Sequence, residues 1–247
     1  MPCSRSARGN LASVISFVVP AYNEERLLGR TLAAIHTAAR ELGRPYELIV
    51  ADDASTDRTA GVACESGARV VGVQFRQIAR VRNAGAAAAT GDILIFVDAD
   101  TIVPSGTLRA TADALDRGAV GGGASVYIDG KLPVWVRLFM PPFRFAFRTS
   151  RLAAGCYLFC RRNEFLAVGG FDEELYAAEE LALSRALGRR GRFVVLREPV
   201  MTSGRKTRTH TSWEVVQLLL RLMRYGTSVL KTRDRLTLWY GDRRDDV

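Results

Sequence analysis

Ile93-Leu94-Ile95-Phe96-Val97-Asp98-Ala99-Asp100 is the stretch on which the fold reading turns. Five consecutive apolar residues are too few for a buried helix and fit a strand covered on both faces. The run then opens at once onto two carboxylates that bracket one small residue. Working back toward the N-terminus, residues 80–90 are alanine-rich and read as a helix, and Arg69 to Val73 as a strand. A helix is expected over 57–66, and Leu48-Ile49-Val50-Ala51 is a second strand running into Asp52 and Asp53. Leu28, Leu32, Ile35 and Ala39 repeat at helical spacing within Glu25 to Leu42, and Gly43 ends that helix. Ile15-Ser16-Phe17-Val18-Val19 is a strand stopped by Pro20.

Strands alternating with helices of this length imply βαβ units and a parallel sheet. Ligands of such sheets sit beyond the carboxyl ends of the strands. Three polar clusters fall there: Pro20 to Glu24, Asp52 to Asp57, and Asp98 to Asp100. Downstream, strands are expected from Gly121 to Ile128, over 154–161 and from Phe193 to Leu196, with helices over 178–190 and from Ser212 to Tyr225. Residues 1–12 read as a flexible tail, 13–210 as one α/β domain, and 211–247 as a basic amphipathic helical segment.

The chain has 247 residues, 48% of them hydrophobic and 25% charged, values that exclude wholesale disorder. Its net charge of +9 is one-sided. Residues 1–130 hold 13 Lys and Arg against 14 Asp and Glu, while 131–247 hold 22 against 12. That basicity suits an anionic bilayer or an anionic acceptor. Trp135 to Arg148 interleaves aromatics with arginines, as an interfacial segment or a lid over an acceptor site would. Nucleic acid is not expected as a partner, because the strand-end carboxylates repel phosphates unless a metal intervenes. Met1 to Asn10 lacks an apolar h-region and does not read as a signal peptide, and no run of ~18 uncharged apolar residues offers a membrane span. The expected location is the cytoplasm, with a peripheral position at the inner face of the membrane open. Four cysteines are too few and irregular for a disulfide framework, and Cys156 and Cys160 read as small buried hydrophobes. His36 reads as a surface residue of the first helix.

Asp98 and Asp100 carry the sharpest chemistry. Two carboxylates this close repel each other, and can share a hard divalent cation, Mg2+ or Mn2+, with a donor's two phosphates. The same residues can equally be a loop capping the next helix. Asp52 and Asp53 allow a carboxylate to accept the imide N–H of a uracil base, or an Asx turn near Asp57, or both. Thr202-Ser203-Gly204-Arg205-Lys206, read as following the last strand, can hold phosphate or be an exposed basic loop, with His210 nearby as a candidate third metal ligand.

Four strings taken in order carry a resemblance: Val18-Val19-Pro20-Ala21-Tyr22-Asn23-Glu24-Glu25, Val50 to Asp57, Arg82-Asn83-Ala84-Gly85 and Phe96 to Asp100. With Val168-Gly169-Gly170-Phe171-Asp172-Glu173, Glu179-Glu180 and Leu183-Ser184-Arg185, they resemble family 2 glycosyltransferases over roughly 14–200. The resemblance implies a GT-A fold, a single Rossmann-like domain with a mixed, mostly parallel sheet flanked by helices. It implies that Pro20, Ala21, Tyr22, Asn23 and Glu24 line the base and ribose of a nucleotide sugar and that Asp53 binds the base. One of Arg76, Arg80 and Arg82 would approach the diphosphate, Arg82 fitting the motif best. Asp98 would reach ribose or metal, and Asp100 the metal. Where the family usually offers Glu-Asp this chain has Glu179-Glu180. Inverting transfer needs a carboxylate to take the acceptor proton; Glu180 is expected in that role, with Glu179 the alternative. Asp172 reads as a turn residue.

The function expected is thus metal-dependent, inverting transfer from a UDP- or GDP-sugar to an acceptor left open among glycan, lipid-linked and small-molecule hydroxyls or phosphates. A sugar-phosphate nucleotidyltransferase would want a Gly-rich basic loop after the first strand, where Pro20 to Glu24 stand. A catalytically inactive, transferase-like binding module is the other alternative, kept open by Glu180 in place of Asp.

Overall fold

The computed structural model describes residues 13–130 and 149–204. β1 (Ile15–Ala21) is buried along its whole length and splits its side chains between two layers. Ile15, Phe17, Val19 and Ala21 point to one core, shared with Leu48 and Val50 and with Ile93, Ile95 and Val97. Val18, Ile49, Leu94 and Phe96 point to the other. A period of two with apolar residues on both sides is what a strand covered on both faces requires.

The first layer is closed by α1 (Leu28–Leu42), α2 (Thr59–Glu65) and α4 (Ser105–Asp116), which bring Leu32, Ile35, Ala63, Leu108 and Leu115 to the sheet. The second is closed by α3 (Ile78–Ala88), α5 (Arg162–Ala167) and α6 (Glu179–Arg190), through Ala79, Ala86, Phe165, Leu183 and Leu187. Leu28, Leu32 and Ile35 are fully buried, each contributing roughly 1.5–3 kcal/mol of apolar transfer. Helix α3 lies so close to β1 that a Cβ at Gly85 would come within 2.4 Å of Val18 Cγ1.

With β2 (Tyr46–Asp52), β3 (Arg69–Gly72), β4 (Ile93–Val97), β5 (Thr101–Ile102), β6 (Gly121–Asp129), β7 (Tyr157–Arg161) and β8 (Phe193–Ser203), the sheet has the order β3-β2-β1-β4-β7-β6-β8-β5. β3, β2, β1 and β4 run parallel, and β7 turns antiparallel between β4 and β6. The fold is thus the expected α/β arrangement, and the ends of β2, β1 and β4 lie side by side.

Differences from the sequence expectation have local causes. α1 starts at Leu28, because Glu24 C=O accepts from the N–H groups of Leu27 and Leu28 in a turn. β8 runs on past Leu196 to Ser203, so Thr202 and Ser203 are strand residues and not part of a loop after the last strand. The register passes from Ala124↔Leu196 to Ser125↔Pro199, and this bulge absorbs Arg197 and Glu198, whose charges break the apolar pattern before Pro199 resumes the ladder. α4, α5 and the short β5 do not show in the strand–helix alternation of the sequence at all. His36 is half-buried, with one ring nitrogen 2.8 Å from Tyr46 Oη and the other 2.8 Å from the Ser66 carbonyl, and so is not a free surface residue. Cys156 and Cys160 are buried as expected, and burial pushes both thiols up. The basic aromatic stretch over 131–148 and the helix expected from Ser212 lie outside the described residues. Among the described residues no helix is long and apolar enough to cross a membrane.

Candidate active site

The loops after β1 and β2 are stitched together. Asn23 donates its N–H to Ser55 Oγ (2.9 Å) and its Oδ1 accepts the N–H of Thr56 (2.8 Å). Glu24 N–H donates to Thr59 Oγ1 (2.7 Å). Asn23 and Ala54 take left-handed φ of 50° and 55°, unusual for residues with a Cβ and held by these bonds. Asp52 Oδ2 accepts from Ser55 N–H (3.3 Å), making the turn. Burial works against the charge of Asp57, but the Thr59 hydroxyl and N–H and the Glu25 N–H hold its carboxyl below the usual range. Asp53 Oδ1 accepts from the N–H groups of Phe75 (2.6 Å) and Arg76 (3.1 Å), while Oδ2 has no partner among the described residues. Arg76 lies 3.7 Å over the Tyr22 ring.

One wall over, a buried charge cluster joins β4 to α3 and α6. Arg82 donates through Nη1 to Glu179 Oε1 (2.6 Å) and through Nη2 to Asp98 Oδ1 (2.8 Å) and to the Gly155 carbonyl (2.9 Å). Arg82 and Glu179 side chains are 4% and 5% exposed, and Asp98 is 31% exposed. Burial opposes the guanidinium charge, but Asp98, Glu179 and Glu180 outweigh it and raise its pKa further. A Cβ at Gly155 would lie 3.4 Å from both Arg82 Nη2 and Glu180 Cδ, so backbone alone separates arginine and carboxyl there. The Glu180 carboxyl is pushed up to about 8, by burial first and then by the Glu179 charge, with Arg82 pulling the other way.

Asp98 is fastened by its own N–H to the Cys156 carbonyl (3.1 Å) and keeps Oδ2 without a partner among the described residues. Thr202 Oγ1 reaches Asp100 Oδ1 (3.3 Å), and Ser203 N–H donates to the Asp100 carbonyl (3.2 Å). Both acids therefore present hard carboxylate oxygens at one strand end, a donor set that suits Mg2+ or Mn2+. Among the described residues no group of three or more His, Cys, Asp and Glu side chains comes together for a metal. Two acids would then leave most of a shell to phosphate and water.

Residues 16–166 match the family described as Glycosyl transferase family 2. The chain belongs to that family. Undecaprenyl-phosphate 4-deoxy-4-formamido-L-arabinose transferase of Klebsiella pneumoniae is 34% identical over 112 residues, covering 42% of this chain and 34% of that enzyme. An uncharacterized glycosyltransferase of Mycobacterium tuberculosis is 37% identical over 105 residues, covering 42% of this chain and 45% of that protein. The chain thus matches about a third to under a half of the length of these relatives. Among solved structures, a mannosyltransferase from Pyrobaculum calidifontis in complex with GDP-Man and Mn2+ has a TM-score of 0.66 at 19% identity, covering 93% of this chain and 68% of that one. Glucosyl-3-phosphoglycerate synthase from Mycobacterium tuberculosis, with Mn2+, UDP and phosphoglyceric acid, has a TM-score of 0.59 at 20% identity, covering 89% of this chain and 79% of that one. At such identities the likeness speaks for the fold, which is the GT-A type.

For this glycosyltransferase the residues singled out by sequence fall into distinct places. Pro20 and Ala21 are buried strand residues paired with Ala51 and Asp52, which leaves half-buried Tyr22 and Asn23 as the parts of that string with surface to offer. Glu24 is buried. Arg82, Asp98, Glu179 and Glu180 come together; Arg205, Lys206 and His210 lie outside the described residues. Asp172 turns the chain, its Oδ1 accepting from Glu174 N–H (2.9 Å). Sequence reasoning missed Gly155 and the Cys156 carbonyl, which carry no motif signal because each acts through backbone that only folding brings to the cluster. Ser184 stands in one of the strings that carry the resemblance, but the partners of its hydroxyl were not legible there.

Proposed function

We propose that the chain is an inverting, metal-dependent glycosyltransferase taking its sugar from a nucleoside diphosphate donor, with Glu180 as the base. The observation that supports this best is the meeting of Asp98 and Glu180 around Gly155, both next to the Arg82 guanidinium. Similar folds solved with GDP-Man, UDP-GlcNAc or UDP, two of them with Mn2+, support the donor class and the cation.

Asp98 and Asp100 would hold the cation. When bound, it neutralises charge on the departing diphosphate. Asp53 Oδ2 would accept from the base, with Tyr22 and Arg76, stacked on each other, beside it. Arg82 is buried behind Asp98 and Glu179 and fixes both carboxylates; Arg76 is the better placed cation for the donor. Glu179 is consumed by its ion pair with Arg82, which leaves Glu180 to take the proton from an acceptor hydroxyl. Ser203, whose N–H donates to the Asp100 carbonyl, would then lie toward the diphosphate.

The relative named for undecaprenyl phosphate supports a lipid-linked phosphate as acceptor, and the basic, aromatic composition of residues 131–148 would suit it. A phosphate needs no base at neutral pH, so the two acceptor chemistries separate in one experiment. Nucleotide release from UDP- and GDP-sugars is measured with Mn2+ or Mg2+, using hydroxyl and polyprenyl-phosphate acceptors. Glu180→Gln is expected to lose ~10²–10⁴ of turnover on a hydroxyl acceptor and far less on a phosphate. Wild-type protein that binds nucleotide sugar but releases none from any donor points to the binding module instead.

A further inference from the structure

The turn leading into β7, residues 153–156, touches each arm of the charge cluster. Gly155 C=O accepts from Arg82 Nη2 and Cys156 C=O from Asp98 N–H. On the far side, Ala153 N–H donates to Ser184 Oγ (3.1 Å), and Ser184 Oγ–H donates to the Glu180 carbonyl (2.7 Å). Ser184 is 1% exposed and Ala153 fully buried. The first turn of α6, which carries Glu179 and Glu180, follows Ala178 at a left-handed φ of 63° and has no side-chain cap. Glu179 is tied down by Arg82. Glu180, one residue on, is tied to the 153–156 turn only through the Ser184 hydroxyl among the hydrogen bonds of the described residues.

We propose that Ser184 is a positioning residue. Its hydroxyl pins the Glu180 backbone to the turn that also holds Asp98, and so sets the gap in which the acceptor oxygen meets the donor. A serine bonding back to the carbonyl four residues earlier is common and slightly destabilising in helices; here the same oxygen also satisfies a buried N–H of another element. Removing it orphans Ala153 N–H and frees the turn to drift from α6, while the loops around Asp53 and Asp100 keep their own bonds.

This inference rests on the transferase reading and makes a separable demand. Ser184→Ala is compared with Ser16→Ala, an equally buried serine at the other end of β1 that bridges Glu47 Oε1 (2.6 Å) and Gly91 N–H (2.9 Å). The expected result is that both variants lose melting temperature and bind UDP or GDP with Mn2+ as wild type does by calorimetry. Only Ser184→Ala loses kcat, by about ten- to a hundredfold, as a misplaced catalytic group does. Full kcat in Ser184→Ala, an equal loss in Ser16→Ala, or a loss of nucleotide affinity that accounts for the whole effect would overturn it. Should Ser184→Ala not fold, Ser184→Cys, close in shape with a weaker bond, is read the same way. A wild type without turnover sinks the transferase reading and this inference together; wild-type turnover matched by Ser184→Ala sinks this inference alone.

Discussion

Arg82 holds one positive charge against Glu179, buried like itself, and against Asp98, which is part-exposed. A buried pair contributes little by existing, yet breaking it strands a charge, at a cost of ~3–5 kcal/mol. Arg82→Met is therefore expected to lower the melting temperature by roughly ten degrees in a domain this size, and adding Glu179→Gln should recover part of that loss in thermal melts. Glu180 behaves oppositely. Its carboxyl is raised in the folded chain, so the fold favours the protonated form; the advantage is complete below the ordinary value of 4.5 and is lost as pH climbs through about 8. Glu180→Gln should melt like wild type at acid pH and above it in alkaline buffer. Activity runs the other way: kcat/KM on a hydroxyl acceptor should climb with pH up to about 8, as the base form of Glu180 appears. A flat profile with a wild type that turns over would remove Glu180 from the base role.

Helix α3 is the element that holds the segment leading into α6. Gln77 Nε2 donates to the Glu173 and Leu175 carbonyls, and Asn83 Nδ2 donates to the Phe171 carbonyl (2.9 Å) while Asn83 Oδ1 accepts from Phe171 N–H (2.9 Å). Arg82 then takes Glu179 from the same helix. The segment 171–179 is thus held from α3 and by Phe171, whose ring packs 4.9 Å from that of Phe96. Asn83→Ala removes its two bonds to Phe171 and a third, to Glu173 Oε1 (2.9 Å), leaves the N–H of buried Phe171 unpaired, and should cost about 2 kcal/mol. Amide exchange should speed up over 171–178 while β1 and β4 stay protected. The sequence shows Arg82-Asn83 as part of a motif string, yet periodicity cannot say which segment, some ninety residues away, their side chains hold.

On the scale of the whole molecule, a ligand that binds only the folded chain must raise its stability. A nucleotide sugar with Mn2+ at a hundred times its dissociation constant adds ~2.7 kcal/mol, or roughly 5–10 °C in a domain of this size. Chelation should abolish the shift, and Asp98→Asn with Asp100→Asn should prevent it; a shift indifferent to both would remove the metal from the account. The alternation of apolar strands and helices, legible from residues 15 to 97, determined the parallel half of the sheet and put three polar clusters at its carboxyl edge. Period-two burial on both faces leaves few other ways to satisfy those residues. The strand through Pro199, the helix over 105–116 and the half-buried His36 were not legible, because a bulge, a neighbouring surface and two hydrogen-bond partners overrode local pattern. Only tertiary structure decided that Glu179 is an ion-pair partner and Glu180 the carboxyl left over. Charges adjacent in sequence differ in role by what folding sets beside each, and here Arg82 from one helix and a bare Gly155 from a turn made that choice.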